Sequence, residues 1–147
     1  MNQAALARAT AVVALTVLAD QVTKAIAVAS LDRGEHVNVF LGLDMTYVRN
    51  EGVAFGALSG GGPLLVTLIT LALAGLVAYF VANSNVPLLW LPVGLILGGA
   101  LGNLADRARD GAVVDFIDPI AWPAFNLADA AIVVGVLGLV YVAEVKR

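Results

Sequence analysis

Residues 63–82 read PLLVTLITLALAGLVAYFVA, a run of twenty positions without a charged side chain. A helix needs about 20 mostly apolar residues to cross the hydrocarbon core of a bilayer, so this stretch predicts a membrane-spanning helix. The whole chain shares the bias, because 61% of its 147 residues are hydrophobic and only 13% are charged. Soluble domains are about half apolar and about a quarter charged. We therefore interpret the chain as a membrane protein.

Three further apolar stretches cover residues 5–29, 88–105 and 127–143. With residues 63–82 they predict a mainly α-helical fold, a bundle of four transmembrane helices in a single membrane-embedded domain over residues 1–147. The first stretch is similar to a signal peptide, but three more spans follow it, so we expect a retained helix. Because the number of spans is even, both termini lie on one side. The long connections, about 31–62 and 106–126, then lie together on the other side.

The first long connection contains a pattern typical of strands. Apolar and polar side chains alternate over residues 43–48, and Val37 and Val39 flank Asn38 in the same way. A period of two indicates extended strands with one face turned inward. We expect these strands to pair through a turn near Leu41 and Gly42. The sequence thus predicts a small β-sheet at the membrane surface between helices 1 and 2.

Composition excludes several kinds of site. The chain has no cysteine, which removes disulfides, thiolate catalysis and cysteine-bound metals. Its single histidine, His36, cannot build a multi-histidine zinc site, and no nucleophile motif places it in a Ser-His-Asp triad. No run of basic residues indicates nucleic-acid binding. We therefore expect no metal, no cofactor and no nucleic-acid partner.

Polar side chains lie inside or at the edge of the predicted spans, where they are costly and usually functional. Asp20 and Lys24 are four residues apart in helix 1, so they share a face and can form an ion pair. Asn103 and Arg107 have the same spacing in helix 3. Each pair either anchors a helix end at the membrane interface or supports a functional site, and the spacing does not decide between these roles.

Helix 3 also carries a glycine at every fourth position, at Gly94, Gly98 and Gly102. Small residues at this spacing let helix backbones approach closely within a membrane. We interpret the repeat as a helix-packing surface.

Two further carboxylates stand out near the end of the chain. Asp115 interrupts an apolar patch, and Asp129 lies about one turn into helix 4, three residues after Asn126. Pro119 and Pro123 lie between the two aspartates, so the loop that joins them is expected to turn sharply. We expect it to bring both carboxyl groups together at the outer end of the bundle.

Two carboxyl groups held close together share one proton. The ionised group can then accept a proton from water while the protonated group polarises a peptide carbonyl. This is the hydrolytic chemistry that the residues favour most. Two alternatives stay open on spacing alone: a small proton- or cation-coupled transporter, and a non-catalytic assembly subunit whose polar residues hold helices together.

The sequence resembles the bacterial lipoprotein signal peptidase (signal peptidase II) family. The resemblance covers most of the chain and rests on five blocks in the same order. They are DQVTK at 20–24, RNEGVAFG at 49–56, GGALGNLADR at 98–107, VVDF at 113–116 and FNLADA at 125–130. Intramembrane aspartic proteases of the presenilin type are not indicated, because no Gly-x-Gly-Asp block occurs.

The resemblance implies a multi-pass aspartic endopeptidase of the bacterial cytoplasmic (inner) membrane that is sensitive to globomycin. It implies cytoplasmic termini and an active site near the outer surface. The implied reaction removes the signal peptide from diacylglyceryl-modified prolipoproteins by cutting before the lipidated cysteine. The expected partners are these prolipoproteins and membrane lipid, and we expect a monomer.

The family motifs place the catalytic pair on Asp115 and Asp129. The residues expected to bind substrate or support the pair are Asp20, Lys24, Asn50, Gly52, Ala54, Asn103, Arg107 and Asn126. Among these, Asn50 and Asn126 are expected to orient a carboxylate or bind substrate backbone, and Arg107 to pair with Asp106 or a nearby carbonyl. Gly52 and Ala54 are expected to keep the first external segment thin enough to cover the substrate.

Overall fold

The structure, a computed structural model, describes residues 2–52 and 62–145. Its four helices are α1 (Gln3–Ser30), α2 (Gly62–Ala82), α3 (Trp90–Asp110) and α4 (Leu127–Val145). Its three strands are β1 (His36–Phe40), β2 (Leu43–Asn50) and β3 (Val113–Pro119). The fold is therefore mainly helical with one small sheet, as predicted.

Within the described residues, α1 and α4 are long and apolar enough to cross a membrane by length and composition. A shorter apolar helical stretch runs over Val66–Ala82 in α2. A helix lies over each of the four predicted apolar stretches, and the passage of all four through a bilayer stays a prediction.

The glycine repeat of α3 faces α1. A Cβ atom built on Gly98 would lie 2.6 Å from the Cβ of Thr16, and one on Gly102 would lie 2.6 Å from the Oδ2 of Asp20. A Cβ atom on Gly94 would be equally crowded by the turn of α1 that precedes Thr16. Side chains at these positions would push the helices apart, so the predicted role of the repeat in close packing is confirmed.

Helix α4 packs against the other side of α3. A Cβ atom on Gly99 would collide with the backbone carbonyl of Ala128, and one on Gly135 would lie 2.6 Å from the Cγ1 of Ile96. Helix α3 thus lies between α1 and α4 and carries glycine on both faces.

At the end of the bundle that holds the chain's N-terminus, the amide of Asn2 donates to the Oγ of Ser84 over 3.0 Å. This bond joins the start of α1 to the turn between α2 and α3. A small apolar core lies nearby and consists of Ala5, Ala9, Phe80, Leu89 and Val93.

The sheet lies at the opposite end. Strands β1 and β2 form the predicted antiparallel hairpin, and Gly42 in its turn has a φ of +82°, a conformation that favours glycine. Strand β3 pairs antiparallel with β2 and joins Arg49 to Val114 in register. The two long connections therefore meet in one sheet, at one end of the bundle.

One expectation needs correction. The sheet is not confined to the segment between helices 1 and 2, because β3 comes from the segment between α3 and α4. Asp115 and Asp118 interrupt the alternation of β3, so the sequence pattern does not indicate this strand. Helix α3 continues to Asp110, where Gly111 caps it with a φ of 71°. Asp106 and Arg107 therefore lie on helical turns, in agreement with the spacing of Asn103 and Arg107.

Candidate active site

A cavity of about 430 Å³ opens where α3 and α4 meet the sheet. Asp115 and Asp129 both line it. Four of the predicted supporting residues line the same cavity, namely Asn50, Gly52, Asn103 and Arg107. The rest of the wall is mostly apolar and includes Ile69, Val113, Trp122, Phe125, Ile132 and Val133. The cavity therefore presents two carboxyl groups beside an apolar surface.

The first turn of α4 positions Asp129. The amide of Asp129 donates to the Oδ1 of Asn126 over 2.9 Å, and the amide of Asn126 donates back to the Oδ2 of Asp129 over 3.3 Å. This reciprocal pair is a capping box, in which Asn126 occupies the N-cap and Asp129 the third helical position. The helix N-terminus also favours a negative charge at this position.

Strand β3 positions Asp115. Its Oδ1 accepts a hydrogen bond from the Nδ2 of Asn126 over 2.7 Å, and its Oδ2 accepts one from the Nδ2 of Asn50 over 3.0 Å. Asn126 is fully buried and bonds both aspartates. The turn between β3 and α4 thus brings the two carboxyl groups to one asparagine, which is the proximity that the sequence predicted.

The environment of Asp115 favours its protonated form. Burial raises the pKa of Asp115 to about 6, and the charge of Asp129 acts in the same direction. The hydrogen bonds from Asn50 and Asn126 oppose this rise because they favour the carboxylate. Asp115 therefore stays protonated to a higher pH than a solvent-exposed aspartate does.

A buried ion cluster lies directly behind this pair. The Nζ of Lys24 contacts the Oδ2 of Asp20 and the Oδ2 of Asp106, each at 2.8 Å, and the Oδ1 of Asn103 at 2.9 Å. The predicted pairing of Asp20 with Lys24 is therefore confirmed. The Oδ1 of Asp20 also accepts from the amide of Ala128 over 3.0 Å, which ties α1 to the start of α4.

Asn103 connects the ion cluster to the pair. Its Nδ2 donates to the Oδ1 of Asp129 over 2.7 Å, and its Oδ1 accepts from Asn126 over 3.2 Å. Among the described residues, no buried side-chain nitrogen or oxygen lacks a hydrogen-bond partner. A network of this kind, with every group satisfied, holds its members rigidly.

Arg107 bonds the carbonyl oxygens of Asn103 and Gly52, each at 3.3 Å. Of the two partners expected for it, the structure therefore selects a carbonyl. Asp106 instead pairs with Lys24 and, at 3.2 Å, with Arg109.

Sequence reasoning missed two members of the network. Asp106, which was expected only as a partner of Arg107, is 1% exposed and contacts Lys24. Gln21 donates to Asp106 over 2.8 Å and was quoted only as part of a motif. A signal for both existed, because polar side chains in the DQVTK and GGALGNLADR blocks recur at helical spacing. Ala54 lies outside the described residues.

Comparison with known proteins identifies the family of this fold and site. Residues 12–144 match the family model described as signal peptidase (SPase) II. A lipoprotein signal peptidase of Pelotomaculum thermopropionicum is 47% identical over 126 residues, which cover 84% of this chain and 83% of that protein. One of Syntrophus aciditrophicus is 43% identical over 138 residues and covers 86% and 85%.

Solved structures agree with this result. A bacterial membrane enzyme determined by the in meso method matches with a TM-score of 0.86 and 33% identity, over 94% of this chain and 87% of that one. A second bacterial membrane enzyme structure matches with a TM-score of 0.83 and 32% identity, over 90% of each chain.

Proposed function

Because the chain belongs to the signal peptidase II family, we propose that Asp115 and Asp129 are its catalytic pair and that it is an aspartic endopeptidase. The protein is a membrane peptidase that removes signal peptides from prolipoproteins. The observation that carries the catalytic assignment is the double contact of Asn126, which bonds Asp115 through its side chain and Asp129 through its backbone at the cavity wall.

In the proposed reaction the active form of the pair shares one proton, and the pair titrates as a unit. The ionised carboxylate takes a proton from water, and the water oxygen attacks the carbonyl carbon of the scissile bond. The protonated carboxyl donates to the carbonyl oxygen, which gives a gem-diol. The carboxyl group that took the water proton then protonates the amide nitrogen, the carbon–nitrogen bond breaks, and the other carboxylate takes a proton from the gem-diol, so the pair again holds one proton. Each proton transfer uses a carboxyl group of the pair, so the reaction needs no metal and no cofactor.

The cavity wall supports the proposed substrate. Trp122, Phe125 and Ile132 form an apolar surface beside the two carboxyl groups. A signal helix or the acyl chains of a diacylglyceryl-cysteine would lie against such a surface, because both are apolar. We propose that cleavage occurs before the lipidated cysteine, with the lipid anchoring the scissile bond at the pair.

The arrangement of connections supports the proposed membrane topology. Segments 31–62 and 106–126 contribute β2 and β3 to one sheet, while the start of α1 bonds the turn between α2 and α3 at the other end. Four spans of a bacterial cytoplasmic membrane would give this division, with both termini in the cytoplasm. The candidate site is on the sheet side, and we place it near the outer surface.

Asn50, Asn103 and Asn126 of the same chain donate hydrogen bonds to the two carboxyl groups. We propose that the enzyme acts as a monomer surrounded by lipid. The proposed substrates are diacylglyceryl-modified prolipoproteins. A carrier or an assembly subunit is not favoured, because the related proteins are named as peptidases.

The test is cleavage of a diacylglyceryl-modified prolipoprotein by the purified protein in detergent. Asp115→Asn and Asp129→Asn should each lower kcat by at least about 100-fold, since general acid–base groups contribute on this order. The matched control is Asp118→Asn, which changes an aspartate of the same strand that pairs with His36 and does not line the cavity. It should cleave at the wild-type rate. Wild-type kcat in either of the first two variants would refute the catalytic assignment.

A further inference from the structure

The inference concerns the direction of the hydrogen bonds around the candidate catalytic pair, and it rests on the proposed function. Two asparagines, Asn103 and Asn126, supply side-chain donors to Asp129 and Asp115 respectively. An asparagine amide can turn either its oxygen or its nitrogen toward a neighbour. If the amides were reversed, each would present an oxygen to a carboxylate.

Lys24 prevents this reversal at Asn103. A lysine ammonium has three donors and no acceptor, so the atom of Asn103 that lies 2.9 Å from Nζ must be the oxygen. The Nδ2 of Asn103 is then turned toward the Oδ1 of Asp129, 2.7 Å away. The direction follows from the chemistry of lysine, whichever way the amide is drawn.

The backbone of Asp129 sets Asn126 in the same way. Its amide N–H can only donate, so the atom of Asn126 that faces it over 2.9 Å must be the oxygen. The Nδ2 of Asn126 then points to Asp115 and to the oxygen of Asn103. The two orientations are therefore compatible, because the Oδ1 of Asn103 accepts from both Lys24 and the Nδ2 of Asn126.

The surrounding charges hold Lys24 in this position. Asp20 on its own helix and Asp106 on α3 each contact Nζ at 2.8 Å. The Lys24 side chain is 4% exposed, and its three donors have three buried acceptors. The other charged groups around the connection are Asp115 on β3, Asp129 on α4, and Arg107 and Arg109 on α3.

We propose that Lys24 is a positioning residue for the catalytic pair: it fixes the orientation of Asn103 so that an N–H donor always faces Asp129. Lys24 itself lies outside the cavity lining and does not contact either catalytic carboxyl group. Its positioning effect passes through the amide of Asn103, and its positive charge separately lowers the pKa of Asp115.

The test must distinguish the effect of the Lys24 hydrogen-bond donor from the effect of its positive charge. The cluster of Lys24, Asp20 and Asp106 has a formal charge of −1, from one cation and two anions. The double variant Lys24→Gln with Asp106→Asn keeps this charge at −1 but replaces the obligate donor with an amide that can turn. The single variant Asp106→Asn changes the charge to zero but keeps Lys24 as the donor.

We expect the double variant to lose up to about 100-fold in kcat, because misplacement of a catalytic group costs on this order. Its KM should stay near the wild-type value. The acidic limb of kcat against pH should move to higher pH, since the pair loses a donor that favours an ionised carboxylate. Asp106→Asn removes one anion that holds Lys24 but keeps the donor, so its pH profile should move less than that of the double variant.

The opposite pattern, a displaced profile in Asp106→Asn and a wild-type profile in the double variant, would overturn the proposal. If the double variant does not fold, Asn103→Asp answers the same question. It keeps an acceptor for Lys24 but turns an oxygen to Asp129, so wild-type kcat and pH profile there would also overturn the proposal. Activity in Asp115→Asn or Asp129→Asn would instead refute the catalytic pair.

Discussion

Asn103 lies between two pairs of aspartates, and the two pairs differ in the groups that bind their carboxylates. Asp20 and Asp106 share the ammonium of Lys24 and are at most 1% exposed. Asp115 and Asp129 line the cavity and accept hydrogen bonds from neutral amides. Among the described residues, no ion pair involves either member of this second pair.

The difference teaches why one pair suits structure and the other suits chemistry. Asp20 and Asp106 are each bound to the ammonium of Lys24, and these contacts tie α1 to α3. A carboxyl group that accepts hydrogen bonds from neutral donors can be either protonated or ionised. Burial raises the pKa of Asp115 to about 6, so this group changes between the two forms at a higher pH than an exposed aspartate. The molecule thus uses one residue type for two tasks within a few ångströms.

The largest difference between the two pairs is expected when the cation, Lys24, is removed. Lys24→Met leaves the buried carboxylate of Asp20 without its counter-charge and leaves Asp106 with only the exposed Arg109. Breaking a buried ion pair in this way costs about 3–5 kcal/mol of unfolding free energy. Denaturant unfolding in detergent micelles should detect the loss. Asp115→Asn, which removes a carboxylate from the other pair, should show no comparable loss, and equal destabilisation by both variants would contradict the division of roles.

A smaller change displaces the ion cluster without altering its charge. Gly102→Ala would place a methyl group 2.6 Å from the Oδ2 of Asp20, a side chain that its bonds hold in place. Overpacking of this kind costs about 1–3 kcal/mol. Thermal unfolding is the measurement. The control is Gly75→Ala in α2, where a Cβ atom meets nothing within 4 Å, so its stability should be unchanged or slightly higher. Similar losses in both variants would refute the packing argument.

Much of the fold could be predicted from local pattern. Apolar runs of helix length predicted the four helical stretches, and a period of two predicted the hairpin of β1 and β2. Strand β3 escaped because Asp115 and Asp118 break its alternation, and only its pairing with β2 makes it a strand. A strand that depends on a partner from another part of the chain has no complete local signal.

The candidate site could be predicted in its members and less well in its contacts. Helical spacing correctly paired Asp20 with Lys24. The same spacing could not show that Lys24 also reaches Asp106, because that contact depends on how closely α1 approaches α3 at Gly102. The apolar cavity wall was not predicted for a similar reason, since Ile69 and Trp122 line one cavity only in the folded chain.

The smallest expected effect is a change of the melting temperature with pH. The pKa of Asp115 is about 6 in the folded protein and about 3.9 in an unfolded chain. Between these values the folded state binds more protons, so the stability that this group contributes is full below about pH 4 and is lost as pH rises through 6. The melting temperature should therefore fall by a few degrees across this window.

Asp115→Asn removes the titrating group and should flatten this part of the curve. Its melting temperature should exceed that of the wild type at pH 7, where the native carboxylate is charged and buried. Asp118→Asn, whose carboxylate pairs with His36 at the sheet surface, should keep the wild-type fall between about pH 4 and 6. If Asp115→Asn kept the full slope, the titrating group would lie elsewhere. If the melting temperature of Asp115→Asn did not change with pH in this range, the burial of the Asp115 carboxylate would be shown to lower the stability of the wild-type protein.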